Sequence, residues 1–131
     1  MIEGAVNAKR EAVVDLTVSG PAGLAERLAF VVDTGFDSDV TLPAATVAAM
    51  GLRLVAAGRA VLGDGSLTYY DICEAEVVWG NASRQVLVDV AETESLLGMG
   101  LLEGHELRIE AVRGGRVRIT PLLVSESQPA T

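Results

Sequence analysis

Apolar and polar positions alternate along most of the chain, and Gly, Pro, Asn and Asp interrupt the alternation at short intervals. Residues 1–8 alternate weakly through Ile2, Gly4 and Val6, which predicts a short terminal strand. Glu11–Val18 predicts a second, with Val13, Val14, Leu16 and Val18 apolar, and Ser19-Gly20-Pro21-Ala22-Gly23 turns the chain. Leu28–Val32 is an apolar run bounded by turn residues, the signature of a buried strand. Val40-Thr41-Leu42 leads into a short helix over Pro43–Met50. Proline suits a helix start, and Gly51 can take the left-handed conformation that ends one. Leu52–Leu62 predicts a strand interrupted near Gly58. Gly63-Asp64-Gly65-Ser66 then predicts a hairpin turn with Asp64 and Gly65 both at positive φ.

The second half continues in the same manner. Leu67–Trp79 is a long strand, Gly80-Asn81 a turn, and Arg84–Ala91 the clearest alternation, with Val86, Val88 and Val90 on one face. Leu96–Glu103 reads as helical in part, opening at Leu96-Leu97-Gly98 and stopping at Gly104. Leu107, Ile109 and Ala111, then Val117 and Ile119, mark two strands around a Gly114-Gly115 turn. Val47, Met50 and Leu54 read as core contacts. Many short strands with at most two short helices predict an all-β barrel or sandwich. One domain spans residues 1–121, and residues 122–131 form a polar tail.

Composition narrows the function. A chain of 131 residues, half of them hydrophobic, can bury a core, and its few aromatics leave that core to Val, Leu and Ala. The net charge of −8, without any basic run, disfavours nucleic acid as a partner. No apolar stretch approaches the roughly 20 residues that span a bilayer, and no basic-then-apolar leader opens the chain, so no membrane association is expected. A single cysteine, Cys73, excludes an intrachain disulfide and fits a reducing, cytoplasmic setting; it reads as a half-buried strand residue. The single His105 lacks a neighbouring Cys or second His for a metal cluster, so no metal or cofactor is expected.

The candidate chemistry lies in Phe30-Val31-Val32-Asp33-Thr34-Gly35. An ionisable residue directly follows an apolar strand, where a lone carboxylate is costly unless hydrogen-bonded. A glycine two positions on admits close backbone approach and can aim an N–H at that carboxylate. A bare Asp-Thr-Gly arises by chance in a chain this long with a frequency on the order of a few per cent, so the tripeptide alone is only suggestive. Its context is more specific. Phe30–Phe36 followed by Val40-Thr41-Leu42-Pro43, the hairpin Leu62-Gly63-Asp64-Gly65-Ser66, and Leu96-Leu97-Gly98-Met99-Gly100-Leu101-Leu102 occur in this order. Together they resemble the retropepsin-like aspartic proteases of bacteria over roughly Ala12–Thr120.

That resemblance implies a closed acid-protease β-barrel that acts as a homodimer, because the chain carries one Asp-Thr-Gly and no second. It implies an aspartic endopeptidase in which two copies of Asp33 activate a water, with Thr34 bonding across the dimer axis and Gly35 supplying an N–H. Gly63, Asp64 and Gly65 would form a flap over an extended peptide. Asp37 would hold the substrate backbone, and Phe36 would narrow the neighbouring pockets. The Leu96-Leu97-Gly98 motif would pack beside the active-site turn. Retroviral members place an arginine where Met99 stands, so this dimer must be held differently. Three other readings stay open. Asp37-Ser38-Asp39 reads equally as a solvated turn, the same fold could serve as a non-catalytic dimeric peptide-binding module, and the chain could be a plain structural barrel that associates through its sheet edges.

Overall fold

The structure is a computed structural model and describes residues 1–123; most of the expected polar tail, from residue 124, lies outside the described residues. Its strands are β1 (Ile2–Val6), β2 (Ala12–Ser19), β3 (Ala25–Val32), β4 (Val40–Leu42), β5 (Arg53–Val61), β6 (Leu67–Trp79), β7 (Ala82–Val90), β8 (Leu96–Leu97), β9 (His105–Ile109) and β10 (Arg116–Pro121). Helices α1 (Ala44–Met50) and α2 (Met99–Leu102) are short, and the fold is mostly β. The ten strands follow one sheet order, β5-β6-β7-β4-β8-β3-β2-β1-β10-β9.

A short pairing of β2 with β6, at Val18↔Val77 and Ser19↔Glu76, joins two parts of this order. Hydrogen bonding therefore runs round a circuit of β6, β7, β4, β8, β3 and β2. β5 and the β1-β10-β9 group lie outside it, with edges at β5 and β9. The expected closed barrel is thus closed over two residue pairs on one side and open at both ends of the sheet.

The valines explain the core. On β2 alternate residues Val14, Leu16 and Val18 point inward and are buried, as the period of two requires. Phe30, Val40, Leu42, Val77, Val86, Val88, Leu97, Leu101, Val117 and Ile119 meet them from other elements. Each such buried side chain contributes about 1.5–3 kcal/mol relative to exposure. Cys73 is fully inside this core rather than half-buried. Near its margin the Trp79 indole N–H donates to His105 Nε2 at 3.1 Å, and His105 Nδ1 lies 3.0 Å from the Glu103 carbonyl.

Helix α1 begins after Pro43 and ends at Gly51, which adopts φ 63° and donates its N–H back to the last turn. Four details depart from the sequence pattern. Leu96 and Leu97 are a strand, not the opening of a helix, because they fill a slot between β3 and β4. β5 runs unbroken through Gly58, and its register shifts instead between Leu54 and Ala56. Leu54 is 60 % exposed, since β5 has no layer covering it. In the 62–66 turn only Gly65 has positive φ. Asp64 remains in an ordinary conformation while its carboxylate accepts bonds from the Ser66 N–H and hydroxyl. Gly65 N–H donates to Leu62 O and Leu62 N–H to Ser66 O, the pattern of a tight turn closed by a bulged glycine.

Candidate active site

Strands β3 and β4 are joined by residues 33–39 but do not touch each other; β8 lies between them. It runs parallel to β3, at Val31↔Leu96 and Val32↔Leu97, and antiparallel to β4, at Val40↔Leu97. The connection carrying Asp33 therefore has to cross over the end of β8, and the chain following β8 passes directly under it. That is why Asp33 stands where it does. Its own N–H is held by the Leu97 carbonyl at 2.9 Å, so the last sheet bond of β8 fixes the candidate catalytic residue.

The crossing is tight enough to require glycine. Gly98 N–H donates to Asp39 O at 2.8 Å, Met99 N–H to Phe36 O at 2.7 Å, and Gly100 N–H to Ser38 O at 3.0 Å. A side chain at Gly98 would collide with the Ser38 and Phe36 carbonyl oxygens and the Phe36 ring. At Gly100 a Cβ would fall 2.7 Å from Asp39 Oδ1. The Leu96-Leu97-Gly98 motif thus packs beside the Asp33 turn through backbone contacts.

Within the turn, Phe36 N–H donates to Asp33 O at 3.2 Å, and Gly35 N–H donates to Asp33 Oδ1 at 2.9 Å. A Cβ on Gly35 would lie 3.2 Å from that same carboxylate oxygen, so residue 35 is kept small by the group it binds. Asp33 is half-buried, with one carboxylate oxygen held and no hydrogen bond to the other among the described residues. Thr34, Gly35 and Asp37 are exposed, and Phe36 is half-buried. The sequence-predicted residues 33–37 are therefore brought together. Gly63, Asp64 and Gly65 sit apart, at the tip of the β5–β6 hairpin, and no hydrogen bond among the described residues links that tip to the turn.

Three supporting residues were not singled out from sequence. Thr41 is the one buried polar side chain of the described core: its hydroxyl donates to Glu94 O at 3.3 Å and accepts the Leu96 N–H at 2.8 Å. The available signal was a polar residue between Val40 and Leu42. Asp39, read as part of a solvated turn, instead accepts the Leu87 N–H through Oδ2 at 2.9 Å and pins the loop to β7. Burial pushes the Asp89 carboxyl above its ordinary value, and the negative charges of Asp39 and then Asp37 push it further.

No protein-family model and no curated protein matches the chain. A solved structure does: the crystal structure of a retropepsin-like aspartic protease from Rickettsia conorii superposes with a TM-score of 0.60. The match covers 93 % of this chain and 91 % of that one, at 23 % sequence identity. The fold is retropepsin-like. Among the described residues no group of His, Cys, Asp and Glu could hold a metal ion, and no helix is long and apolar enough to cross a membrane.

Proposed function

We propose that the protein is an aspartic endopeptidase, active as a homodimer in which two copies of Asp33 face each other across a two-fold axis. The observation that carries this reading is the Gly35 N–H held 2.9 Å from Asp33 Oδ1 on a turn anchored by Leu97, within a retropepsin-like fold. A carboxylate held in this way is oriented by one oxygen and keeps the second available to a reactant.

Two carboxylates a few ångström apart cannot both ionise easily, so the pair holds one proton between them; aspartic proteases are the standard instance of this rule. The ionised Asp33 takes a proton from a water, whose oxygen attacks the peptide carbonyl carbon. The protonated Asp33 donates to the carbonyl oxygen. Collapse of the tetrahedral species returns a proton to the amine, and the C–N bond breaks. The apparent titration belongs to the pair rather than to either copy. Thr34 bonds across the axis, Phe36 and Asp37 line the groove, and the peptide lies extended along it with backbone hydrogen bonds. Gly63, Asp64 and Gly65 close over the peptide and exclude water.

Cleavage of a broad peptide library at mildly acidic pH, read by mass spectrometry, tests the reading. Asp33→Asn should lower turnover by about 10²–10⁴-fold, because it removes the shared-proton chemistry while preserving shape. Undiminished cleavage by Asp33→Asn would sink the mechanism. Peptide binding without turnover by the wild-type dimer would favour the binding-module alternative.

A further inference from the structure

Resting on the dimeric reading above, we infer that two copies join by antiparallel pairing of β9 with β9, centred on Leu107, with Glu106 of each copy opposite Arg108 of the other. Among the described residues β9 pairs with β10 alone, which leaves one row of its N–H and C=O groups open. Such a row is a template for another strand. The other sheet edge, β5, is a poorer candidate. It carries Arg53 and Arg59 and no acidic residue, so two-fold pairing would bring only cations together.

The sequence of β9 is complementary to itself. In His105-Glu106-Leu107-Arg108-Ile109, Glu106 and Arg108 share one face, and His105, Leu107 and Ile109 share the other. Pairing about Leu107 sets Glu106 against Arg108, Leu107 against Leu107 and His105 against Ile109. Centring on Glu106 or Arg108 would set like charges against each other, and an intermediate register would set charged residues against apolar ones.

A defect within the single chain is relieved by the same register. Arg108 lies directly opposite Arg118 of β10, and like charges so placed repel. The ion pairs among the described residues are Arg27–Asp15, Arg53–Glu74 and Arg116–Glu110, so neither of these two arginines has one. Arg118 Nε is buried without an acceptor. On its far side Arg118 faces Glu3 of β1. Adding Glu106 of a second copy completes a cross-strand row of Glu3, Arg118, Arg108 and Glu106, in which each arginine has an acidic neighbour. The edge is also near the candidate turn: Ile109 and Val112, both exposed, share with Val31 and Val32 a cavity of about 540 Å³ beside the strand that ends at Asp33.

Sedimentation equilibrium of charge variants tests the register. Glu106→Arg and Arg108→Glu should each weaken self-association by roughly tenfold or more, since both symmetry-related pairs turn repulsive. The two variants mixed should form a heterodimer of near wild-type affinity, and the double exchange E106R/R108E should dimerise alone. Single variants that dimerise like wild type, or a mixture that stays monomeric, would overturn the register. A chain ending at Leu123 should also dimerise; loss of the dimer there would point to residues 124–131 as the joining strand and overturn the proposal. Asp33→Asn should leave dimerisation intact while removing cleavage. The interface can therefore fail with the enzyme still active, or stand with no cleavage, and the two ideas are separable.

Discussion

Two connections carry the residues of the proposed site, residues 33–39 and the β5–β6 hairpin, and they are built on opposite principles. Residues 33–39 cross over β8 and are held by a series of backbone bonds to residues 97–100. Residues 53–72 form a two-stranded arm in which every position of β5 except Gly58 is exposed and Leu54, Val61 and Tyr69 face solvent. The first region is over-determined by neighbours distant in sequence. The second is held by its own ladder and by one turn. Isolated two-stranded hairpins are marginal in water, so the arm draws its order from its root, where Cys73, Ala75 and Val77 enter the core. Dense backbone bonding thus sits under the proposed catalytic group, and sparse packing sits in the proposed flap.

Substitutions can break or sharpen this contrast. Gly98→Ala should have the largest effect, destabilising by about 3 kcal/mol, because its Cβ would strike backbone oxygens that cannot move without displacing Asp33. Thermal unfolding should show a midpoint lower by roughly 10 °C, and residual activity should fall with it. Thr41→Val should come next, at about 1–3 kcal/mol, since the Leu96 N–H loses its acceptor in a buried place; chemical denaturation measures it. Gly58→Ala should cost less than about 1 kcal/mol, although its Cβ would fall within the Tyr70 ring, because that ring lies on the arm and can swing aside. A Gly58→Ala cost as large as that of Gly98→Ala would end the contrast between the two regions.

Asp89→Asn should have the smallest effect, and a pH-dependent one. A carboxyl whose folded value is raised disfavours the folded state once pH rises above its ordinary 3.8. The amide should therefore stabilise slightly near neutrality. The gain should fade as pH falls through the raised value and vanish below the ordinary one. Melting curves at neutral pH and in acid, compared with wild type, check the sign.

How much of this was legible in the chain follows from the range of the forces involved. The alternating strands and the helix stop at Gly51 depend on near neighbours, and the sequence pattern places them well. Leu96 and Leu97 were misplaced because two leucines before a glycine have no period of their own. Only the slot between β3 and β4 makes them a strand. Leu54 looks like a core residue in any local window, and its exposure is a property of the missing layer above β5. Asp39 and Thr41 serve the site by bonding to residues 48 and 55 positions away, a relation that spacing cannot reveal. Asp64 escaped positive φ because its side chain supplies the turn's bonds from an ordinary conformation.

The insertion of β8 between β3 and β4 also orders events in time. The Asp33 turn is written early in the chain, yet the carbonyl that fixes Asp33 and the glycines that let the loop lie down come from residues 97–100. Contacts of such sequence separation form late, because a long loop must close before they are rewarded. During synthesis the candidate site therefore cannot assemble until the segment through Gly100 has left the ribosome. A peptidase with this topology would be silent as a nascent chain, not through any inhibitor but because its active-site floor has not yet been made.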